Sequence, residues 1–237
     1  MGAPDAAKSG TRDSLIPSRR LRDRVELAVA YALILAVIWA PRSWQRILYF
    51  AAAAFIVCTT LQSFPGWKAM GLGTTNFARS SWVVGVALTA AAIAVLVAGR
   101  LHTLHSPGSS RMFLQRYAGY IVFAFVQQAL LQDYFLVRLQ RLIRRPGMAA
   151  LAAAAIFSLA HLPNPILTVA TFVWGLAACL IFQRYRSLYP LCLAHAILGI
   201  TLAICVPGPV VRNMRVGLGY LTYHTYRLNR RIDQRSH

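Results

Sequence analysis

The chain is poor in acid. Only six of its 237 residues are Asp or Glu, against 25 Lys or Arg, and Asp133 is the only carboxylate side chain between Glu26 and Asp233. Charge of either sign is scarce as well, at 13% of residues, where a soluble domain carries about 25%. With 57% hydrophobic residues and a mean hydropathy of +0.52, this excludes an ordinary soluble domain and points to an all-α, polytopic membrane protein. The four cysteines, Cys58, Cys179, Cys192 and Cys205, show no CxxC spacing and lie in apolar segments. They exclude a disulfide framework and a zinc knuckle, and read as small buried hydrophobes. HExxH is absent, and no small-residue cleavage pattern marks a removable signal peptide. The first apolar span therefore reads as an uncleaved anchor. The net charge of +19 raises nucleic acid as a partner, but the basic residues collect at the termini and in short connections. No basic domain with interleaved aromatics exists, so nucleic acid is excluded as a partner.

What the chain does have is long apolar runs. Helices are expected over Val25–Ala40, Ile47–Leu61, Trp82–Gly99, Tyr117–Leu139, Met148–Leu162, Ile166–Phe182 and Leu188–Val206. Residues 207–237 are basic, and Pro207 to Tyr223 reads as a re-entrant, interfacial or eighth crossing element. The expected architecture is thus about seven to eight transmembrane helices around a polar intramembrane cavity. Residues 1–24 read as a basic, disordered cytoplasmic lead, 25–116 as an N-terminal group of helices and loops, and 117–206 as the helical core that holds the informative residues. The stretch Gln62–Ser81, with Pro65-Gly66-Trp67, Gly71 and Gly73, reads as an irregular interfacial loop, and Ser106-Pro107-Gly108-Ser109-Ser110 as a flexible connection. Segments that would lie inside with a cytoplasmic N-terminus carry 13 Lys or Arg, against 5 in those that would lie outside. The positive-inside rule favours that orientation.

An ionised carboxylate in hydrocarbon costs about 2.5 to 3.5 kcal/mol on insertion scales, so Asp133 is expected to face a polar interior. Its helix also carries Gln128 and Gln132, 40° apart on one face, while Arg138 lies about 140° around from Asp133. Arg138 is therefore expected to snorkel or to pin a neighbouring helix rather than pair with Asp133. Two later segments each hold one histidine, His161 and His195; Phe157 shares a face with the first and Gly199 with the second. A carboxylate and an imidazole can activate water and then protonate a leaving amine, while a second imidazole holds an oxyanion. The same three side chains suit zinc with an open position, a weaker reading because one ligand per helix is a poor metal signature. Cofactors are accordingly expected to be none. Cys192 and Ser158 lack the activation that a nucleophile needs. The bland alternative for each polar residue is interhelical hydrogen bonding.

The ordered set Asp133-Tyr-Phe-Leu-Val-Arg138, Phe157-Ser-Leu-Ala-His161 and His195-Ala-Ile-Leu-Gly199 resembles the EExxxR, FxxxH and HxxxN motifs of the CAAX protease and bacteriocin-processing membrane family, over about Gln127 to Ile200. The resemblance implies an intramembrane endopeptidase of glutamic type acting on a membrane-associated peptide or protein within the lipid bilayer. By position it makes Asp133 and His161 the water-activating pair, His195 part of the oxyanion site, Arg138 a structural arginine and Phe157 a packing partner. Three residues depart from the pattern. Asp133 is one methylene shorter than Glu, Tyr134 stands for the second acid, and Gly199 stands for the asparagine, with Asn164 or the Gln128–Gln132 face as replacement donors. A catalytically impaired relative acting as a binding or immunity protein, and a small-solute or proton transporter, are the rival functions. The Arg-over-Lys and Ala bias suits a bacterial inner membrane. No motif encodes an oligomeric state.

Overall fold

The computed structural model describes residues 7–74, 76–105 and 110–223, with side chains from residue 19 onward except Ser110 and Arg116. Of the described residues 81% are helical, and no strand occurs among them. In chain order the helices are α1 (Ala7–Trp39), α2 (Arg42–Gln62), the single turn α3 (Phe77–Ser80), α4 (Trp82–Arg100) and α5 (Ser110–Ala129). A π-helical segment, Leu130–Leu136, joins α5 to α6 (Val137–Leu142) without a break; α7 (Pro146–Leu159), α8 (Pro165–Tyr185) and α9 (Tyr189–Cys205) follow. The chain then makes three short turns, α10 (Gly208–Val211), a 3-10 turn (Arg212–Met214) and α11 (Gly217–Leu221).

Each expected apolar helix is present. Four helical stretches, Arg42–Gln62, Phe77–Arg100, Arg111–Leu142 and Pro165–Tyr185, are long and apolar enough to cross a membrane, while α7 and α9 are apolar but shorter. Two boundaries differ from expectation. Helix α1 starts at Ala7, inside the stretch expected to be a disordered lead, and the fourth long helix starts at Ser110 rather than Tyr117. The expected flexible residues 106–109, and the basic residues 224–237, lie outside the described residues. Residues 208–221 form turns far too short to cross, tied to the helices rather than extended from them. Gly217 N–H donates to the Leu162 carbonyl at 2.8 Å, and its positive φ of 52° lets the backbone press against Ile38 of α1, where a side chain would collide.

Proline sits in the first turn of α7, α8 and α9, where its missing N–H leaves no bond unmade and its fixed φ suits the helix. Asn164 caps α8, its Oδ1 accepting from Leu167 N–H at 3.2 Å. Packing is by small residues. Helix α7 lies on α8 with Ala154 against Gly175, and Ala149, Ala150, Ala153 and Ala178 are fully buried in the same core. Close approach of backbones supplies the van der Waals contact that drives helix association when the surroundings are as apolar as the side chains. The large apolar side chains point outward instead, as Phe50 and Leu61 on α2 and Leu96 on α4 do.

The two halves expected from the sequence interlock, with α4 packed along α9 and α1 packed against α2 and α6. A buried charge ties α1 to α6. Arg138, 2% exposed, places Nη2 2.8 Å from Glu26 Oε2 and donates through Nε to the same oxygen at 2.8 Å. Its other donors reach Tyr134 O, Thr59 O and Ser63 Oγ, and the guanidinium stacks 3.8 Å above the Tyr134 ring. Tyr134 in turn donates to Glu26 O and meets Thr59 Oγ1 at 3.1 Å. Two flanking pairs, Arg22–Glu26 and Arg141–Asp23, extend the network outward. Arg138 thus pins a neighbouring helix and does not snorkel.

The stretch between α2 and α3 is irregular but docked. Leu188 N–H donates to Gly71 O at 2.9 Å, Asn76 Nδ2 donates to Tyr185 O at 2.8 Å, and Tyr189 reaches Leu72 O. Gly71 has φ of 67° and lies on Phe182, so this loop braces the α8–α9 turn that precedes His195.

Removing one partner of a buried ion pair strands the other charge, at a cost of about 3 to 5 kcal/mol. Glu26→Ala is expected to lower the thermal unfolding temperature of the detergent-solubilised protein strongly, whereas Glu26→Met combined with Arg138→Met recovers most of the loss. Equal melting of the single and double variants would rule out a stranded charge as the cause.

Candidate active site

The π-helical segment fixes what the central helix presents. Leu131, Gln132, Asp133, Tyr134, Phe135 and Leu136 are all buried, as on a helix packed on every side. Gln132 looks toward Gln128 and His195, Tyr134 looks toward α1 and α2, and the wider i→i+5 turn accommodates an extra residue between these two flanks. Asp133 lies between. It is 9% exposed and lines a cavity of about 190 Å³ with Ile56, Thr60, Met70, Phe125 and Tyr134. Among the described residues neither carboxylate oxygen has a hydrogen-bond partner, and no other carboxylate there has both oxygens buried and unpartnered. Cys192 on α9 and Arg186 at the end of α8 lie within electrostatic reach of it.

His195 stands one turn beyond Cys192 on α9 and is 6% exposed. Gln128 Nε2 lies 3.0 Å from its Nδ1, and Gln132 Nε2 donates to Gln128 Oε1 at 3.2 Å. The second bond orients the Gln128 amide so that its NH2 faces the imidazole. An amide nitrogen only donates, so His195 Nδ1 accepts and the proton of the neutral ring sits on Nε2. His161 is held the other way. Its Nδ1 lies 2.8 Å from the Phe157 carbonyl, which only accepts, so Nδ1 carries the proton and Nε2 presents a lone pair.

Phe157 lies between the two imidazoles, its ring 5.0 Å from His161 and 6.1 Å from His195, both edge to face. Trp174 from α8 stands 6.1 Å from His195 with its indole N–H buried and unpartnered in the protein. The two histidines feel each other electrostatically. The structure therefore gathers Gln128, Gln132, Phe157, His161 and His195 into one cluster, while Asp133, next in the chain to Gln132, lines its cavity with residues of α2, the α2–α3 loop, α5 and the π-helical segment and with neither histidine. The residues surround a space rather than a point: among the described residues no three His, Cys, Asp or Glu side chains close to metal-binding reach.

Two expected supporting residues have other occupations. Asn164, expected as a replacement oxyanion donor, gives its Nδ2 hydrogens to the carbonyls of Val211 at 2.9 Å and Arg215 at 3.1 Å. That expectation is corrected: it is fully buried, caps α8 and anchors the C-terminal turns. Tyr134, in the second acid's position, belongs to the Glu26–Arg138 network. Gly199 is covered by a residue that sequence reasoning missed. The Tyr120 ring from α5 lies on it, so that a Cβ at position 199 would overlap the hydroxyl and stand 2.5 Å from Cζ.

Long apolar helices with outward-facing aliphatic side chains define an integral membrane protein. Residues 109–201, the segment that holds all three motifs, match the family model described as Type II CAAX prenyl endopeptidase Rce1-like. No curated protein and no solved structure matches the chain.

The opposite tautomers can be read directly. In protein labelled with 15N-histidine, one-bond couplings are expected to place the His161 proton on Nδ1 and the His195 proton on Nε2. Gln128→Leu is expected to release the His195 preference and leave His161 unchanged; a His195 signal indifferent to Gln128 would refute the orienting bond.

Proposed function

We propose that the protein is an intramembrane endopeptidase of the CAAX prenyl protease type, hydrolysing a peptide bond of a membrane-associated substrate. One observation carries the reading: the two clustered histidines are held in opposite tautomers, one presenting a lone pair and the other an N–H. Peptide hydrolysis needs both functions, a base for water and a donor for the developing oxyanion.

In this reading a water molecule is held between the Asp133 carboxylate and His161 Nε2. Its oxygen bonds to the scissile carbonyl carbon as its proton passes to this pair. The carbonyl oxygen, now an oxyanion, accepts from His195 Nε2–H, which Gln128 and Gln132 keep in place. Collapse breaks the carbon–nitrogen bond, and the proton returns to the leaving amine. Asp133 suits this role because its buried oxygens have no competing protein donor, and a buried polar group left unpartnered requires a reason. No metal is assigned a part. The family description, which names a prenyl endopeptidase, supports the same reaction class.

The surrounding assignments follow from composition and topology. The helices are proposed to cross a bacterial cytoplasmic membrane about seven times, with the N-terminus inside; the expected eighth crossing falls away because residues 208–221 are short turns. Reporter fusions are expected to read cytoplasmic after the α2–α3 loop and after α6, and external after α4; the reverse pattern would overturn the orientation.

The activity is tested with quenched-fluorescent peptides in liposomes, one set ending in a farnesylated CAAX tail and one spanning the bilayer unmodified. Cleavage is expected with wild type, with a fall of at least about 1,000-fold for Asp133→Ala and His161→Ala, as for removal of a general base from a unit that acts together. Equal cleavage by all three proteins would sink this assignment, and solute or proton flux through wild-type liposomes that stops in Asp133→Ala would support transport instead.

A further inference from the structure

The contact between Tyr120 and Gly199 is unusual in what it joins. Tyr120 belongs to α5, two turns before Gln128; Gly199 belongs to α9, one turn after His195 and on the same face. Gly199 is buried, and the near edge of the tyrosine ring occupies the volume of its absent side chain, with Cε1 2.8 Å and Cζ 2.5 Å from where a Cβ would stand. The tyrosine hydroxyl is the atom driven furthest into this space. Among the described residues no hydrogen bond reaches it. Threonine and serine hydroxyls in these helices turn back onto their own carbonyls, as Thr171 does to Leu167 and Thr201 to Ile197, whereas a phenol on a rigid ring cannot reach back in this way. Tyr120 is partly buried, and its hydroxyl is delivered to the face of α9 that carries His195, where a bound ligand could reach it.

Glycine is what allows this. Any larger residue at 199 would push the ring away, so the absence of a side chain on α9 and the length of the one on α5 form a single complementary pair. The motif resemblance makes position 199 that of an asparagine, a residue with an amide donor on the same face as His195. In this chain the donor arrives from the opposite helix.

We infer that Tyr120 is a catalytic residue, whose hydroxyl donates a second hydrogen bond to the carbonyl oxygen of the bound peptide as that oxygen becomes an oxyanion. This rests on the endopeptidase reading of the site. The hydroxyl keeps its proton throughout; no covalent bond forms or breaks at Tyr120. His195 Nε2–H and Tyr120 Oη–H would then supply the two donors from neighbouring helices, and Gly199 would contribute by making room. A purely structural tyrosine, filling the groove over Gly199, would make no use of its oxygen.

The test uses the full-length protein in liposomes with the same fluorescent peptides. Tyr120→Phe keeps the ring and removes only the oxygen. Its kcat is expected to fall about 100-fold, the lower end for loss of one oxyanion donor, with KM within about twofold of wild type and no change in melting temperature. Tyr120→Ala is expected to be at least as impaired, and Tyr120→Ala combined with Gly199→Asn to be faster than Tyr120→Ala alone, because the cleared space admits an amide donor. Full kcat in Tyr120→Phe, alongside an inactive Asp133→Ala, would overturn the role of Tyr120 and leave the endopeptidase reading standing. An Asp133→Ala protein as active as wild type, or a wild type that cleaves no peptide in the panel, would instead remove the reading on which this inference rests.

Discussion

The ion pair between Glu26 and Arg138 is the constraint to which the rest of the molecule is fitted. A guanidinium 2% exposed inside a helical bundle needs an anion and several acceptors, and the acceptors it uses come from three parts of the chain. Glu26 comes from α1, the carbonyl of Thr59 and hydroxyl of Ser63 from the end of α2, and the carbonyl of Tyr134 from the π-helical segment. Satisfying one cation therefore sets α1 and α2 against the central helix. Tyr134 reinforces the arrangement, since its ring lies under the guanidinium and its hydroxyl bonds to α1. Asp133 is the immediate neighbour of Tyr134, so the network that holds Tyr134 also fixes the direction of the carboxylate beside it.

Opposite that network, α9 serves as the second frame. It is packed by α4 and α5 along its length and introduced by a turn that the α2–α3 loop braces through Gly71 and Asn76. His195 is placed by backbone packing and oriented by Gln128 and Gln132, while His161 is oriented by the carbonyl of its own preceding turn. The two imidazoles thus obtain different protonation patterns from purely local bonds. No charged partner is needed to tell them apart, which suits a site with so few charges to offer.

The central elements were legible in the sequence because they are long and apolar, and Asp133, His161 and His195 stood out because polar groups are expensive there. Their second shell was legible only in part. Gln128 and Gln132 share a face in any helix, and the structure keeps that relation. The partner of Arg138 has no signal in spacing, although the scarcity of acids leaves few choices: with Asp133 on another side of the helix, Glu26 is the one other acid that lies within an expected span. The π-helical segment has no composition of its own, so the extra residue it accommodates between its two flanks could not be read from spacing that assumes 100° per residue. Asn164 looked like a free amide because its partners, the carbonyls of Val211 and Arg215, belong to turns with no periodic pattern. Tyr120 escaped notice because the pairing of a large residue with an absent one is a property of two helices, and Gly199 alone reads as a loss.

The π-helical segment also separates two registers. Residues before it face α9 and residues after it face α1, and the wide turn reconciles the two alignments within one continuous helix. The position of Asp133 is therefore a matter of residue count as much as of residue type. Deleting one residue between Leu130 and Leu136 would let the segment tighten into an ordinary helix, turning one flank by about 100° relative to the other. Either the glutamines would leave His195 or Arg138 would leave Glu26. A lineage carrying this helix can exchange side chains in it one at a time, but a change in its length must alter both flanks together, which makes length the most conservative property of the segment.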